Sequence, residues 1–175
     1  ICSTAHLTAA VHALDMIAKI KLPQNALRIR NLALMAEHIQ SDVRHVFLMF
    51  TADFANPLYQ NQALYDEVML RYEPFKGRTV VEVINETKKV LEIIAIIGGQ
   101  WPHSAYMVPG GITSIPSQSD LLQCRSLLAN YRNWYERRIL GCSLDRWAEV
   151  ESAGALDAWL NEKKAHQESD LGLLL

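Results

Sequence analysis

The sequence predicts a mainly α fold, a bundle of long helices interrupted by one Pro/Gly-rich loop at about residues 98–117. Three observations predict it. Helical periodicity runs through three long stretches, at about 24–50, 79–97 and 117–140. Each stretch is bounded by a proline, a hydroxyl residue or a glycine, the residues that start and stop helices. No internal repeat, low-complexity tract or long linker breaks the chain into separate modules.

Taken in order, Ser3 or Thr4 caps a first helix to about Lys19, with Ala5, Ala9, Val11, Leu14 and Ala18 among its apolar positions. Pro23 opens the second helix, from about Gln24 to Phe50. Leu27, Leu34, Ile39 and Val46 are expected on its core face, and Arg28, Arg30 and Glu37 on its other sides. Asn56-Pro57 marks a break, and a short helix is expected over about Gln60 to Arg71. Pro74-Phe75-Lys76-Gly77 is the next breaker, after which Thr79 caps a third long helix to about Ile97. Its β-branched start, Val80-Val81-Glu82-Val83-Ile84, reads as a strand in isolation; the continuation from Asn85 to Ile97 decides for helix. Ser117 or Ser119 caps a fourth helix, which runs to about Leu140 and closes at Gly141. Two shorter helices are expected, at Leu144 to Val150 and at Ala153 to about His166.

Composition narrows the function classes. Half of the 175 residues are apolar and 21% are charged, which is globular rather than disordered. Seventeen basic against nineteen acidic residues give a net charge of −2, with no electrostatic footprint for nucleic acid. Three cysteines cannot build the disulfide framework of a small secreted scaffold. No apolar run reaches the length of a membrane span. The chain opens at Ile1-Cys2-Ser3-Thr4 without methionine and closes on Leu173-Leu174-Leu175. The expectation is an internal piece of a longer protein, with residues 1–175 forming a single partial domain truncated at both ends.

Several residues have metal or pocket chemistry. Cys2 and His6, four apart, share a helix face; thiolate and imidazole suit soft and borderline metals, and a buried structural pair is the alternative. His38, Asp42 and His45 also share a face, as a metal or imidazole-orienting set or as a solvated surface. Cys124 lies among Leu121, Leu122, Leu127 and Leu128 and reads as a buried thiol; Cys142, after Gly141, also reads as packing. His103 follows Trp101-Pro102 in the glycine-containing loop, where it is placed to line a pocket or interface. Arg125, Arg132, Arg137 and Arg138, interleaved with Tyr131, Trp134 and Tyr135, read as a helix at a protein–protein contact.

As a set these residues resemble a known family. Ile1-Cys2-Ser3-Thr4-Ala5-His6 resembles the second half of the Arg-x-Cys-Gly-x-Cys-x-x-x-His motif of nickel-iron hydrogenase large subunits. Pro23-Gln24-Asn25-Ala26 with Arg30 and Leu32 resembles the family's Pro-x-Asn-Ala stretch. Ser41-Asp42-Val43-Arg44-His45-Val46-Phe47, with Asp53 beyond it, resembles its Ser-His-x-x-His-Phe segment. Gly98-Gly99-Gln100-Trp101-Pro102-His103 and Pro109-Gly110-Gly111 resemble its glycine loop. The wording of the fourth helix, from Gln123-Cys124-Arg125 to Leu140-Gly141-Cys142-Ser143, is similar to uptake hydrogenases of the cyanobacterial kind. Asp42 departs from the family's usual histidine, and Ser41 stands where some members carry a carboxylate.

The resemblance implies a fold, a reaction and partners. The fold is the long-helix core of the large subunit. The reaction is oxidation of H2 to protons and electrons at a Ni-Fe centre whose iron carries CO and cyanide. Cys2 is implied as a thiolate bridging nickel and iron, His6 as a hydrogen-bond donor behind it, and His45 as a further supporting residue. A small subunit carrying iron-sulfur clusters is implied as the electron-accepting partner, with His103 near that contact. The compartment implied is cytoplasmic, with any membrane association made through partners. The first nickel cysteine, the later cysteine pair and the proton-relay residues are expected outside this chain, so the 175 residues alone are expected to be inactive. The alternatives are a hydrogen-sensing homologue with the same metal site, a metal-free relative of the complex I quinone-reductase type, and a helical interaction module without chemistry.

Overall fold

The computed structural model describes residues 3–175; Ile1 and Cys2 lie outside the described residues. It is mainly helical, as the periodicity predicts. The chain forms two compact units. One comprises the residues up to Val43 with Thr87–Leu128; the other comprises Arg44–Glu86 with Ala129–Leu175.

In the first unit, α1 (Ser3–Ile17) is followed by α2 (Gln24–Arg44). The buried residues of α2 are Ala26, Arg30, Ala33, Ala36, Glu37 and Val43. Positions 26, 30, 33 and 37 fall on one face, so two of the charges expected outside are inside. Leu27, expected in the core, is 40% exposed, and Leu34 and Ile39 are half-buried. The reason is steric and electrostatic together. Alanines let a neighbouring backbone approach closely, and both charges then find partners on it. On α1 the same correction applies: Val11 is buried as expected, but Asp15 is buried beside it while Leu14 is half exposed.

Helix α4 (Arg78–Gly98) carries the main apolar stripe. Val80, Val83, Thr87, Val90, Ile94 and Ile97 are each at most 4% exposed. Their steps of three and four place them on one helical face, so packing outweighs the weak helix preference of the β-branched start. Beyond α4, within the expected Pro/Gly-rich loop, lies a two-stranded antiparallel hairpin: β1 (Met107–Val108) pairs with β2 (Gly111–Ile112). Pro109-Gly110 makes its turn, with Gly110 at φ +90°, the combination a type II turn requires. Ser117 then starts α5 (Gln118–Trp134). The Asp120 N–H donates to the Ser117 Oγ at 3.2 Å, and the Ser117 N–H returns a bond to Asp120 Oδ2 at 2.8 Å. This reciprocal pair is a capping box, and it selects Ser117 over Ser119.

In the second unit, α2 continues into a π turn, His45–Phe50, closed by the Thr51 N–H on the Val46 carbonyl. The short helix α3 (Tyr65–Tyr72) begins later than expected. The residues before it are taken by three-residue turns, with Tyr59 N on Asn56 O at 2.9 Å and Gln60 N on Pro57 O at 3.1 Å. Thr79 caps nothing; it is fully buried and its Oγ1 donates to Asp170 Oδ1 at 2.8 Å. Arg71 Nη1 reaches the same oxygen at 3.0 Å, and the Tyr72 hydroxyl donates to the Asp170 carbonyl at 2.6 Å. These bonds tie α3 and the start of α4 to α9 (Asp170–Leu174).

After α5 a second π turn, Tyr135–Leu140, ends at Gly141. Gly141 has φ +70°, and a Cβ there would stand 2.2 Å from the Ala165 carbonyl oxygen, so only glycine fits. Ser143 and Ser152 cap α6 (Leu144–Trp147) and α7 (Ala153–Glu162). The last expected helix is broken at Lys163, which is extended, before α8 (Lys164–Gln167). The break turns the chain so that His166 stacks on Trp159, ring centroids 4.8 Å apart and planes within 9°. His166 Nδ1 donates to the Trp159 carbonyl at 2.6 Å, and Trp159 Nε1 donates to Cys142 Sγ at 3.3 Å. Cys142 is therefore a packing residue. Within the basic stripe, Arg132 pairs with Glu136 and Asp145, and Arg138 with Glu82.

Removing a buried charge that holds other buried charges is expensive, so Asp170→Ala should lower stability by roughly 3–5 kcal/mol. Urea unfolding of the wild-type and variant chains measures this. An unchanged midpoint would show that α9 is not held through Asp170.

Candidate functional site

The candidate site gathers around the two ends of α1. At its start the helix has no acidic residue in its first turn, so its free N–H groups need partners from elsewhere. Glu37, 6% exposed on α2, supplies them. Its Oε1 accepts from the Thr4 N–H at 3.1 Å and its Oε2 from the Ala5 N–H at 2.5 Å. A carboxylate at a helix N-terminus also meets the positive end of the helix dipole. Ser3, expected as a cap, instead accepts the His103 N–H on its Oγ at 2.9 Å. That bond ties the glycine loop to the first turn of α1.

At the other end, Arg30 is 3% exposed and each nitrogen of its guanidinium donates a hydrogen bond. Nη1 donates to Asp15 Oδ2 at 2.7 Å, and Nη2 to the carbonyls of Val108 and Gly111 at 2.7 and 2.8 Å. Nε adds a bond to Gly111 at 3.2 Å. The second oxygen of Asp15 accepts the Gly110 N–H at 2.7 Å. One ion pair thus binds the hairpin turn to α1 and α2. Asp15 is held below the usual carboxylate range, first by the Arg30 hydrogen bond and then by the Gly110 N–H, against the opposing pull of burial.

The structure treats the sequence-predicted residues unequally. Cys2 lies outside the described residues. His6 is exposed on the first turn of α1. His45 lies in the second unit, exposed in the π turn, its ring edge-on to Phe50 with centroids 4.9 Å apart. His38 and Asp42 are also exposed, on α2. Among the described residues no group of three His, Cys, Asp or Glu side chains is placed to hold a metal ion. Cys124 is buried, and burial pushes its thiol up. Glu37, Asp15 and the inward placement of Arg30 were not read from the sequence. The available signal was the four-three-four spacing of Ala26, Arg30, Ala33 and Glu37, which puts two charges on a small-residue face.

Comparison with known proteins defines the class. Residues 1–69 match the nickel-dependent hydrogenase family, and the chain belongs to it. Over 132 residues it is 31% identical to the large subunit of a periplasmic NiFeSe hydrogenase from Desulfomicrobium baculatum, covering 67% of this chain and 26% of that protein. Over 161 residues it is 29% identical to the sulfhydrogenase 2 subunit alpha of Pyrococcus furiosus, covering 89% of this chain and 34% of that subunit. The chain thus spans between a quarter and about a third of the length of these relatives, as a piece of a hydrogenase large subunit. Among the described residues no helix is long and apolar enough to cross a membrane.

The depressed Asp15 sets an expectation for acid stability. A carboxylate with a lowered folded-state value stabilises the fold above its unfolded value of about 3.9, and that contribution is lost as pH falls through the folded value. Asp15→Asn should therefore flatten the stability change between about pH 5 and pH 2. Equal slopes for the two chains would remove Asp15 as the acid-sensitive group.

Proposed function

We propose that the chain is part of the catalytic large subunit of a nickel-iron uptake hydrogenase, which oxidises H2 to two protons and two electrons. The observation that carries this reading is the family match over residues 1–69, the stretch that contains Cys2 and His6. Both relatives are hydrogenase subunits by name. The uptake type rests on the resemblance of the fourth helix, and a hydrogen-sensing homologue would share the same metal site. The metal-free complex I-type alternative is weakened by the cysteine at position 2 and by the family match. We read residues 1–175 as part of a single larger domain, and the compartment as cytoplasmic; the Desulfomicrobium relative is periplasmic by name.

The donor chemistry here fits one share of a Ni-Fe centre. Cys2 would supply one thiolate, which a metal deprotonates outright. The described residues form no metal cluster, so the remaining cysteine ligands would come from other parts of the parent protein. When bound, the centre, with iron carrying CO and cyanide, supplies the splitting of H2 and the uptake of its electrons. His6, exposed one turn after Cys2, would donate a hydrogen bond toward the cysteine sulfur and hold its orientation. His45 would act further out, as a supporting residue. His103 would stand at the contact with a small subunit whose iron-sulfur clusters take the electrons.

In the full-length parent, Cys2→Ser should abolish both nickel retention and H2 oxidation, and His6→Ala should cost roughly 10–100-fold in metal affinity or activity. Metal analysis and a hydrogen-uptake assay read both. Unchanged nickel and activity in Cys2→Ser would sink the reading and leave the helical interaction module. The 175-residue chain made alone should hold no stoichiometric nickel.

A further inference from the structure

The start of α1 is held in an unusual way. A helix beginning with Ser3-Thr4 can cap itself with a hydroxyl, at no cost in buried charge. Here it does not. The Ser3 hydroxyl serves the loop at His103, and Thr4 is 1% exposed with no partner for its Oγ1 among the described residues. The first-turn N–H groups are met instead by a carboxylate 33 residues away, on another helix and almost fully buried. Burying a carboxylate is unfavourable unless strong hydrogen bonds satisfy it. A tertiary clamp of this kind does something a local cap cannot: it fixes where the turn stands, as well as that it is helical.

The clamp has a counterpart. Glu37 and Arg30 are seven residues apart on the buried face of α2, and they grip opposite ends of α1, Thr4 and Ala5 at one end and Asp15 at the other. Within this unit α1 and α2 therefore run antiparallel, and α1 can neither slide nor turn without breaking a buried charged bond.

We infer that Glu37 is a positioning residue for the Cys2/His6 motif: its carboxylate fixes the turn on which His6 stands and to which Cys2 is joined through Ser3. Glu37 touches no reacting atom. It acts through the backbone N–H groups of Thr4 and Ala5. The inference rests on the reading of Cys2 as a metal ligand. A displacement of that turn by about 1 Å would be enough to lower turnover about a hundredfold.

The test compares Glu37→Ala and Glu37→Gln with Thr79→Val in the metal-loaded parent protein. Thr79→Val removes a buried hydrogen bond in the other unit and serves as a control for general destabilisation. The readouts are nickel stoichiometry, the infrared bands of the iron-bound CO and cyanide, H2 oxidation, and amide hydrogen exchange at Thr4 and Ala5. Glu37→Ala should shift the infrared bands, lower turnover about a hundredfold and speed exchange at both amides. Glu37→Gln, which keeps one acceptor oxygen, should recover part of each, and Thr79→Val should leave the bands in place. Unchanged bands and turnover in Glu37→Ala, or the same band shift in Thr79→Val, would overturn the inference. Should the wild-type parent hold no nickel, the hydrogenase reading fails on its own. Amide exchange then decides the clamp: faster exchange at Thr4 and Ala5 in Glu37→Ala upholds it, and unchanged exchange overturns it.

Discussion

The first unit depends on the buried guanidinium of Arg30. An arginine that is 3% exposed is tolerable only if its planar fork finds acceptors, and here each of its three nitrogens donates, in four bonds. They reach Asp15 on α1 and two carbonyls of the hairpin, so a single side chain joins three segments far apart in sequence. Lysine could not do this, because it carries a point charge without the forked donors. The need for close approach explains the neighbours of Arg30. Ala26 and Ala33, buried one turn to either side of it on the same face, are small enough to let a partner come close. Large residues at those two positions would hold the partners out of hydrogen-bond range.

The second unit solves the same problem with a carboxylate at its centre. Asp170, 1% exposed, receives Arg71 and Thr79 on one oxygen, while its carbonyl receives Tyr72. Close by in sequence, the face-to-face pair of Trp159 and His166 and the indole bond to Cys142 bury three polar groups among aromatic rings. In both units a short carboxyl-terminal or loop segment is held by buried polar bonds. Such bonds strengthen where water is excluded.

This organisation bears on the metal chemistry of the family. A helix N-terminus is only as well placed as its partners make it. Glu37 and the His103–Ser3 bond hold it from two sides, from α2 and from the glycine loop. The loop is itself held through the Arg30–Asp15 pair. The fold thereby connects the Pro23-to-Arg30 segment, the glycine loop and the first turn of α1, which carries His6.

What the sequence alone determined was local. The order of the helices, the stop at Gly141, a serine cap at Ser117 or Ser119 and the turn at Pro109-Gly110 were all legible, because each depends on neighbours within a few residues. So was the family, because its motifs are short runs of adjacent residues. Which side of α2 faces inward was decided only by the tertiary structure. Leu27 and Leu34 look like core by hydrophobicity, and Arg30 and Glu37 look like surface by charge. Their placement depends on partners as far as 81 residues away, and no local pattern encodes those partners. Asp15, Thr79 and His166 were missed for the same physical reason: a buried polar group is stable only where distant atoms satisfy it, and the chain shows where those atoms are only once it is folded.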